Sequence, residues 1–172
     1  TDRNGDLLAW NTLGTSTHDI PKRPYIEEGG FSHMLGYVSY PKKDESGIFW
    51  QDDYIGKDGL EKEYQTVLQG VKGERIIAID ALHNIEAENV TVDPVHGNNL
   101  TLAIDKDVQA KLYERIKELA HRASFTGGAG VIMDVRTGEI LALTSYPEYD
   151  NDLMTNAVTK EEKSRISSLL TD

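Results

Sequence analysis

The clearest change in the pattern of apolar and polar positions falls between residues 105 and 146. From Asp105 to about Ala123, Val108, Leu112, Ile116, Leu119 and Ala123 recur every three or four positions. Lys111, Glu114, Lys117, Glu118 and Arg122 occupy the other side. That period predicts an amphipathic helix packed on a core. Asp105 is its expected N-cap, and Asp107 adds negative charge to the first turn. Beyond the helix, Val131–Val135 and Ile140–Thr144 are near-continuous apolar runs around Thr137-Gly138. They predict an antiparallel hairpin, strands 129–135 and 139–146, covered on both faces. Gly127, Gly128 and Gly130 are expected to let the backbone turn tightly before the first strand.

Shorter elements are predicted upstream. Asn4-Gly5 is a turn dipeptide, with Leu7-Leu8-Ala9 as a short strand after it. Residues 13–30 carry Gly, Ser, Thr, Pro and charge and read as loop. Ser32–Tyr40 is a strand candidate stopped by Pro41. Leu60, Tyr64, Val67 and Leu68 fall on one face of a helix opened by Gly59 and ended by Gly70 and Gly73. Arg75–Ala81, Val90–Val95 and Leu100–Ile104 read as strands, the last two separated by a bend at His96–Asn99. Residues Thr159–Leu170 lean towards helix, with Thr159 as cap and Glu162 three residues on.

Composition narrows the function classes. The 172 residues are 38% hydrophobic and 27% charged, and can bury a core as one domain or two small ones. A net charge of −11 argues against non-specific binding of nucleic acid and against docking on anionic lipid through a basic patch. There is no Cys, hence no disulfide and no thiolate metal site. His18, His33, His83, His96 and His121 show no metal-ligand spacing. No apolar run approaches the roughly 20 residues that span a bilayer, and no signal peptide is visible. The chain opens inside a turn motif, as a piece of something longer would.

The line GAGVIMDVRTGEILALTSYPEYD, from Gly128 to Asp150, resembles the opening strands of the transpeptidase domain of penicillin-binding proteins. Gly128, Ala129, Asp134, Thr137, Gly138, Glu139, Ile140, Leu141, Ala142, Ser145, Pro147 and Asp150 match in order. The upstream chain is similar to the non-catalytic pedestal module of class B members. Asp2-Arg3-Asn4-Gly5 with Leu8-Ala9 resembles D-R-N-G-x-x-L-A. Arg23-Pro24-Tyr25 resembles R-x-Y-P, with Ile26 where Pro is usual. Ser32 to Val38 resembles A-x-H-x-L-G-Y-V and includes Gly36. Gly56-Lys57-Asp58-Gly59-Leu60-Glu61 resembles G-x-x-G-(I/L)-E. Leu100-Thr101-Leu102-x-Ile104-Asp105 with Gln109 resembles the T-L/I-D-x-x-x-Q opening of the transpeptidase domain.

The resemblance implies an α+β fold. A β-rich pedestal would cover 1–99, with a short or absent head, because only residues 10–22 separate the first two motifs. The opening helix and antiparallel hairpin of an incomplete transpeptidase domain would cover 100–172. The parent would be a bacterial peptidoglycan D,D-transpeptidase at the extracytoplasmic face of the plasma membrane, anchored upstream. It would bind peptidoglycan stem peptides and β-lactams and need no metal or organic cofactor. A rival reading is a docking module for a membrane glycan polymerase or another wall-synthesis partner; a third is an inactive or sensor relative.

The family's chemistry needs S-x-x-K, S-x-N and K-T-G. All three follow the Asp150 position in the family, and none is found after it here, so the catalytic residues in this chain are none. Two strings imitate them. Ser39-Tyr40-Pro41-Lys42 fits S-x-x-K, but Pro41 would fall in the first turn of the required helix. Arg136-Thr137-Gly138 imitates K-T-G but reads as the hairpin turn. The motif residues Arg3, Gly5, Arg23, Tyr25, Gly36, Gly59, Glu61, Asp134, Thr137 and Gly138 are expected to be structural. Glu61 is expected to accept hydrogen bonds from Arg3, Arg23 or both, because an Arg fork fits a carboxylate.

Overall fold

A computed structural model describes residues 1–12, 21–44, 46, 49–51, 53–79 and 85–156. The predicted helix at Thr159–Leu170 lies outside the described residues. The described elements are α1 (Ser32–Leu35), β1 (Val38–Ser39), β2 (Lys42–Lys43), β3 (Phe49–Gln51), β4 (Ile55–Gly56), α2 (Gly59–Glu63), α3 (Gln65–Leu68), β5 (Glu74–Ile79), β6 (Ile85–Val92), α4 (Lys106–Ala123), β7 (Gly128–Met133), β8 (Ile140–Tyr146) and α5 (Asn151–Asn156). The strands form four separate antiparallel pairs, β1–β4, β2–β3, β5–β6 and β7–β8. This is an α+β fold.

The chain divides into two compact units. One joins residues 1–63 to 101–172, and the other is 64–100. The first is therefore discontinuous. Its core gathers Leu8, Tyr25, Phe31, Leu35 and Ile104, with Ala9, Met34, Leu60 and Ala110 packed around them. Residues 8–12 run antiparallel to 22–26 through the bridges Ala9↔Tyr25 and Thr12↔Lys22. In the second unit β5 and β6 pair from Glu74↔Val92 to Ile79↔Ile85. Val71 and Val95 add one further bridge there.

The sequence signals for α4 act where predicted. The Asp105 carboxylate accepts from the backbone N–H groups of Asp107 and Val108, and Ser124 ends the helix in the left-handed region at φ 56°. β7 and β8 pair from Gly128↔Tyr146 to Met133↔Ile140, with one irregularity next to Met133. Helix α4 lies against both strands.

Seven expectations change on contact with the structure. The residues of α4 buried deepest are Gln109 and Ala120, while Leu119 is exposed. The packed line runs Gln109, Tyr113, Ile116, Ala120, because it faces glycines. A side chain at Gly30 would strike Tyr113, and one at Gly130 would meet Leu112 and Ile116 at 3.1 Å. Gly127, Gly128 and Gly130 thus serve close approach rather than a tight turn, and none has positive φ. The hairpin is covered on one face only: Val131 is 58% exposed and Val135 88%. Among the described residues its strands pair with each other alone.

The region Ser32–Tyr40 is not one strand. It is a single helical turn, α1, followed by Gly36 at φ 72° and then β1. Gly36 breaks the extended reading because its Cα sits where a Cβ would fall 1.8 Å from the Asp58 carbonyl oxygen. The helix predicted through Leu60 and Leu68 is two short helices. Tyr64 at φ −103°, ψ 20° interrupts them, and Tyr64 and Val67 are exposed. The strand predicted at Val90–Val95 ends at Val92, since Pro94 has no N–H for the ladder. Leu100–Ile104 forms no strand. Leu102 N–H donates to Thr1 O, and Ile104 O accepts from Arg3 N–H.

Gln109 is fully buried and joins three segments. Its amide donates to Gly30 O at 2.5 Å and Leu143 O at 2.7 Å, and its carbonyl accepts from Leu143 N–H at 2.7 Å. Replacing it with Leu would remove the partner of all three backbone groups, of which the Gly30 carbonyl is held in a buried bond. The expected cost of Gln109→Leu is about 2–4 kcal/mol, read as a lower urea midpoint with an unchanged slope.

Candidate functional site

Four features lie in the first unit, and three of them join residues far apart in sequence. The first is the turn at the chain's start. Asp2 is fully buried. Its carboxylate accepts from the N–H groups of Asn4 at 2.8 Å and Asp6 at 2.9 Å, from the Asn4 amide at 3.2 Å, and from Lys106 N–H at 3.1 Å. Lys106 is the first residue of α4, so Asp2 and Asp105 cap that helix together, placing negative charge at the positive end of its dipole. Burial alone would raise the Asp2 pKa. The hydrogen bonds from Lys106, Asp6 and Asn4 outweigh it and hold the carboxyl below the usual aspartate value.

Arg3 and Gly5, the residues singled out in this motif, do the lesser work. Gly5 supplies the positive φ of 93° that the turn requires. Arg3 does not reach Glu61. It lies 3.5 Å from Glu139, with both side chains well exposed. Asp2 was legible only as the first letter of the motif, and the donor it satisfies is 104 positions away.

The second feature centres on Glu61, which is buried in α2. Its Oε1 accepts from Arg23 Nε at 2.8 Å, and Arg23 Nη1 donates to Asn11 Oδ1 at 3.0 Å. Of the two arginines proposed as partners of Glu61, Arg23 is the one in contact. Tyr25, two residues on, is buried beside them. Burial raises its pKa, the Glu61 charge adds to this, and the hydroxyl faces Thr155 and the Val38 backbone. Gly36 and Gly59 make the crossing of the two motifs close enough. Gly59 has φ 54°, and a Cβ there would lie 2.6 Å from Met34 O.

The third feature is the hairpin turn. Asp134 accepts from Arg136 N–H at 2.9 Å and pairs with the Arg136 guanidinium at 2.9 Å. That side-chain contact, followed by the backbone one, lowers the Asp134 pKa. Gly138, at φ 77°, donates its N–H to Asp134 O, and Thr137 Oγ1 accepts from Glu139 N–H at 3.2 Å. The triplet Arg136-Thr137-Gly138 is therefore turn chemistry.

The fourth feature has no counterpart in the sequence reading. The segment after β8 holds α1 in place. Glu148 accepts from Gly30 N–H at 2.7 Å and Ser32 N–H at 3.1 Å. The Asn151 amide donates to Ser32 O at 3.2 Å and to Gly36 O. In this segment the family resemblance rests on Pro147 and Asp150, and neither makes these contacts.

Ser39 is in β1 and Lys42 in β2, not on one helical face, and Ser39 Oγ points to Tyr40 O at 3.5 Å. The one close Ser–His contact among the described residues, Ser145 Oγ to His33 Nδ1 at 2.9 Å, is exposed. Among the described residues no group of three His, Asp or Glu is arranged for a metal.

Two predictions follow the charges. Arg23→Ala strands a buried carboxylate and is expected to cost about 3–5 kcal/mol in urea unfolding. Arg3→Ala removes only an exposed pair, worth about 0–1 kcal/mol. Pairing Arg23→Ala with Glu61→Gln should recover part of the first loss, whereas additive losses would show no coupling. The Asp2 carboxyl is held below its unfolded value, so its stabilisation is present above that value and disappears as pH falls through the folded one. Stability should therefore drop as pH falls below about 4. Asp2→Asn should flatten that part of the profile while lowering the neutral-pH midpoint.

Comparison with known proteins places these motifs. The model of the penicillin-binding protein dimerisation domain matches residues 11–102. The peptidoglycan D,D-transpeptidase MrdA of Acinetobacter baumannii is 35% identical over 141 residues, 79% of this chain and 20% of MrdA. FtsI of Escherichia coli, also a peptidoglycan D,D-transpeptidase, is 29% identical over 137 residues, 80% of this chain and 21% of its own length. Penicillin-binding protein 2X of Streptococcus thermophilus superposes with a TM-score of 0.62 at 25% identity, covering 82% of this chain and 20% of that one. PBP2 of Helicobacter pylori, solved in complex with MreC, gives 0.61 at 30% identity, covering 86% and 27%. The chain spans about a fifth of the length of MrdA and FtsI. With the dimerisation-domain model matching more than half of its residues and the same motifs closing the buried contacts described above, the chain belongs to the class B penicillin-binding proteins.

Proposed function

We propose that this chain is the pedestal and the first elements of the transpeptidase domain of a peptidoglycan D,D-transpeptidase that cross-links stem peptides. The observation that carries the reading is the 35% identity to MrdA across 79% of the chain. In the parent enzyme a Ser outside this chain would attack the carbonyl of the D-Ala-D-Ala bond. The terminal D-Ala would leave with a proton delivered through the motif Lys. An acceptor amine would then take the acyl group and free the Ser. A β-lactam would acylate the same Ser. The parent would work at the extracytoplasmic face of the plasma membrane, anchored upstream.

Within that enzyme the present residues would act by holding geometry. Asp2 and Gln109 tie the N-terminal turn and the Gly30 loop to α4 and β8. The opening of the transpeptidase domain would then start from a fixed frame. A second role, docking of a wall-synthesis partner such as a membrane glycan polymerase, is supported by the Helicobacter pylori PBP2 structure, whose partner is MreC.

Fluorescent penicillin tests the catalytic part. Residues 1–172 alone should remain unlabelled, while a longer chain that continues through the three motifs should be labelled covalently. Labelling of the short chain that is lost in Ser39→Ala would move the nucleophile into the pedestal and overturn this reading.

A further inference from the structure

Helix α1 is one turn long. A helix of that length does not persist on its own, because nucleation fixes several residues for a single bond. It also lacks its own cap: Phe31 stands at the N-cap position and gives no side-chain hydrogen bond. Its internal bonds are Leu35 N–H to Phe31 O and Gly36 N–H to Ser32 O, both 2.8 Å.

The missing groups arrive from more than a hundred residues away. The Glu148 carboxylate takes the N–H groups of Gly30 and Ser32, which is what a capping side chain would do. The buried Asn151 amide donates to Ser32 O and Gly36 O, so the carbonyls at both ends of the turn are satisfied. The Tyr149 hydroxyl lies 3.2 Å from Ser32 O and 3.1 Å from Asp58 Oδ2. Burial first, and then the Asp58 charge, push the Tyr149 pKa up, so the hydroxyl keeps its proton as a donor. The Tyr149 ring also stands edge-on to His33 and Tyr37, at 5.0 and 5.9 Å.

The dependence runs both ways. Residues 147–150 belong to no helix or strand. Asp150 caps α5 by accepting from Leu153 N–H at 3.0 Å. The Gly30–Gly36 turn supplies the backbone groups that hold Glu148 and Asn151, and the Tyr113 side chain of α4 also meets Glu148.

We propose that residues 148–151 form a latch on the Gly30–Gly36 turn, so that the turn and the strap leading into α5 order and release together as one local unit. A ligand that favours the ordered form of one then favours the ordered form of the other, because the two share one equilibrium. This holds whether or not the parent is a transpeptidase, since it rests on contacts within the chain.

Hydrogen exchange on the full chain reads the latch directly. In Asn151→Ala and in Glu148→Ala, exchange at Leu35 and Gly36 should rise roughly tenfold or more, the scale of losing a hydrogen bond to a buried group. Exchange within α4 and within β5–β6 should stay at the wild-type rate. In the reverse direction, Gly36→Ala, which forces a Cβ against Asp58 O, should raise exchange at Leu153 and Met154. Tyr149→Phe removes only the hydroxyl and keeps the ring packing. It is the milder variant should the others not fold, and it should give a smaller rise confined to the same amides. Unchanged exchange at Leu35 and Gly36 would overturn the latch. A rise of equal size in α4 would also overturn it, because it would mean that these residues support the whole unit rather than one coupled segment.

Discussion

A carboxylate from the second residue closes the N-terminus of a helix that begins at residue 106, and much of the first unit depends on that contact. An α-helix leaves its first N–H groups without intrahelical partners. Asp105 satisfies those of Asp107 and Val108 locally, but Lys106 N–H is satisfied by Asp2. The same carboxylate fixes the Asn4 and Asp6 N–H groups, so one buried anion sets the shape of the turn and its place on α4 at once. Arg3 N–H to Ile104 O and Leu102 N–H to Thr1 O then follow with little freedom left. Leu8 and Ile104 meet in the core as a consequence.

This pattern of closure by distant polar groups recurs because the fold has few large surfaces to bury. Among the described residues every sheet has two strands, and an isolated two-stranded sheet is marginal in water. Among the described residues nine hydrophobic side chains are buried beside seven polar or charged ones. That near-parity means apolar burial cannot by itself select the register of each segment. Asp2, Glu61, Gln109 and Asn151 do so, since each has a defined number of donors or acceptors and loses most if its partner is displaced. A hydrophobic contact tolerates a shift of an ångström; the paired donor and acceptor of Gln109 on Leu143 do not.

What the sequence disclosed divides along the same line. Helix α4 was legible because its apolar period, its Asp105 cap and its first-turn acid are all within one stretch. The hairpin was legible because Gly138 provides a left-handed turn residue between two apolar runs. The helical turn α1 was not legible. Ser32–Tyr40 has the composition of a strand, and its conformation is decided by Glu148 and Asn151, about 115 residues later. Glu61 was recognised as a carboxylate awaiting an arginine, but choosing Arg23 over Arg3 needs the crossing at Gly36 and Gly59. The strand expected at Leu100–Ile104 failed for a related reason. Its apolar alternation is sound, yet the neighbour it meets is the tight turn at Asp2–Asp6 and not an extended strand.

Buried polar contacts of this sort change what a family motif means physically. A motif such as D-R-N-G invites attention to its Arg, the residue most able to bind an anion or a substrate. In this fold the Arg is exposed and loosely paired, and the Asp beside it carries the long-range constraint. The R-x-Y-P-like and G-x-x-G-(I/L)-E motifs behave differently, since Arg23 and Glu61 complete each other. The difference lies in where the charge ends up. A carboxylate taken fully out of water must be matched by donors, and that requirement forces distant segments together. A guanidinium left at the surface imposes no such demand. The residues that position the N-terminal turn and the Gly30 loop against α4 and β8 are therefore the buried carboxylate and amide of Asp2 and Gln109, and the arginines matter only where they complete such a group.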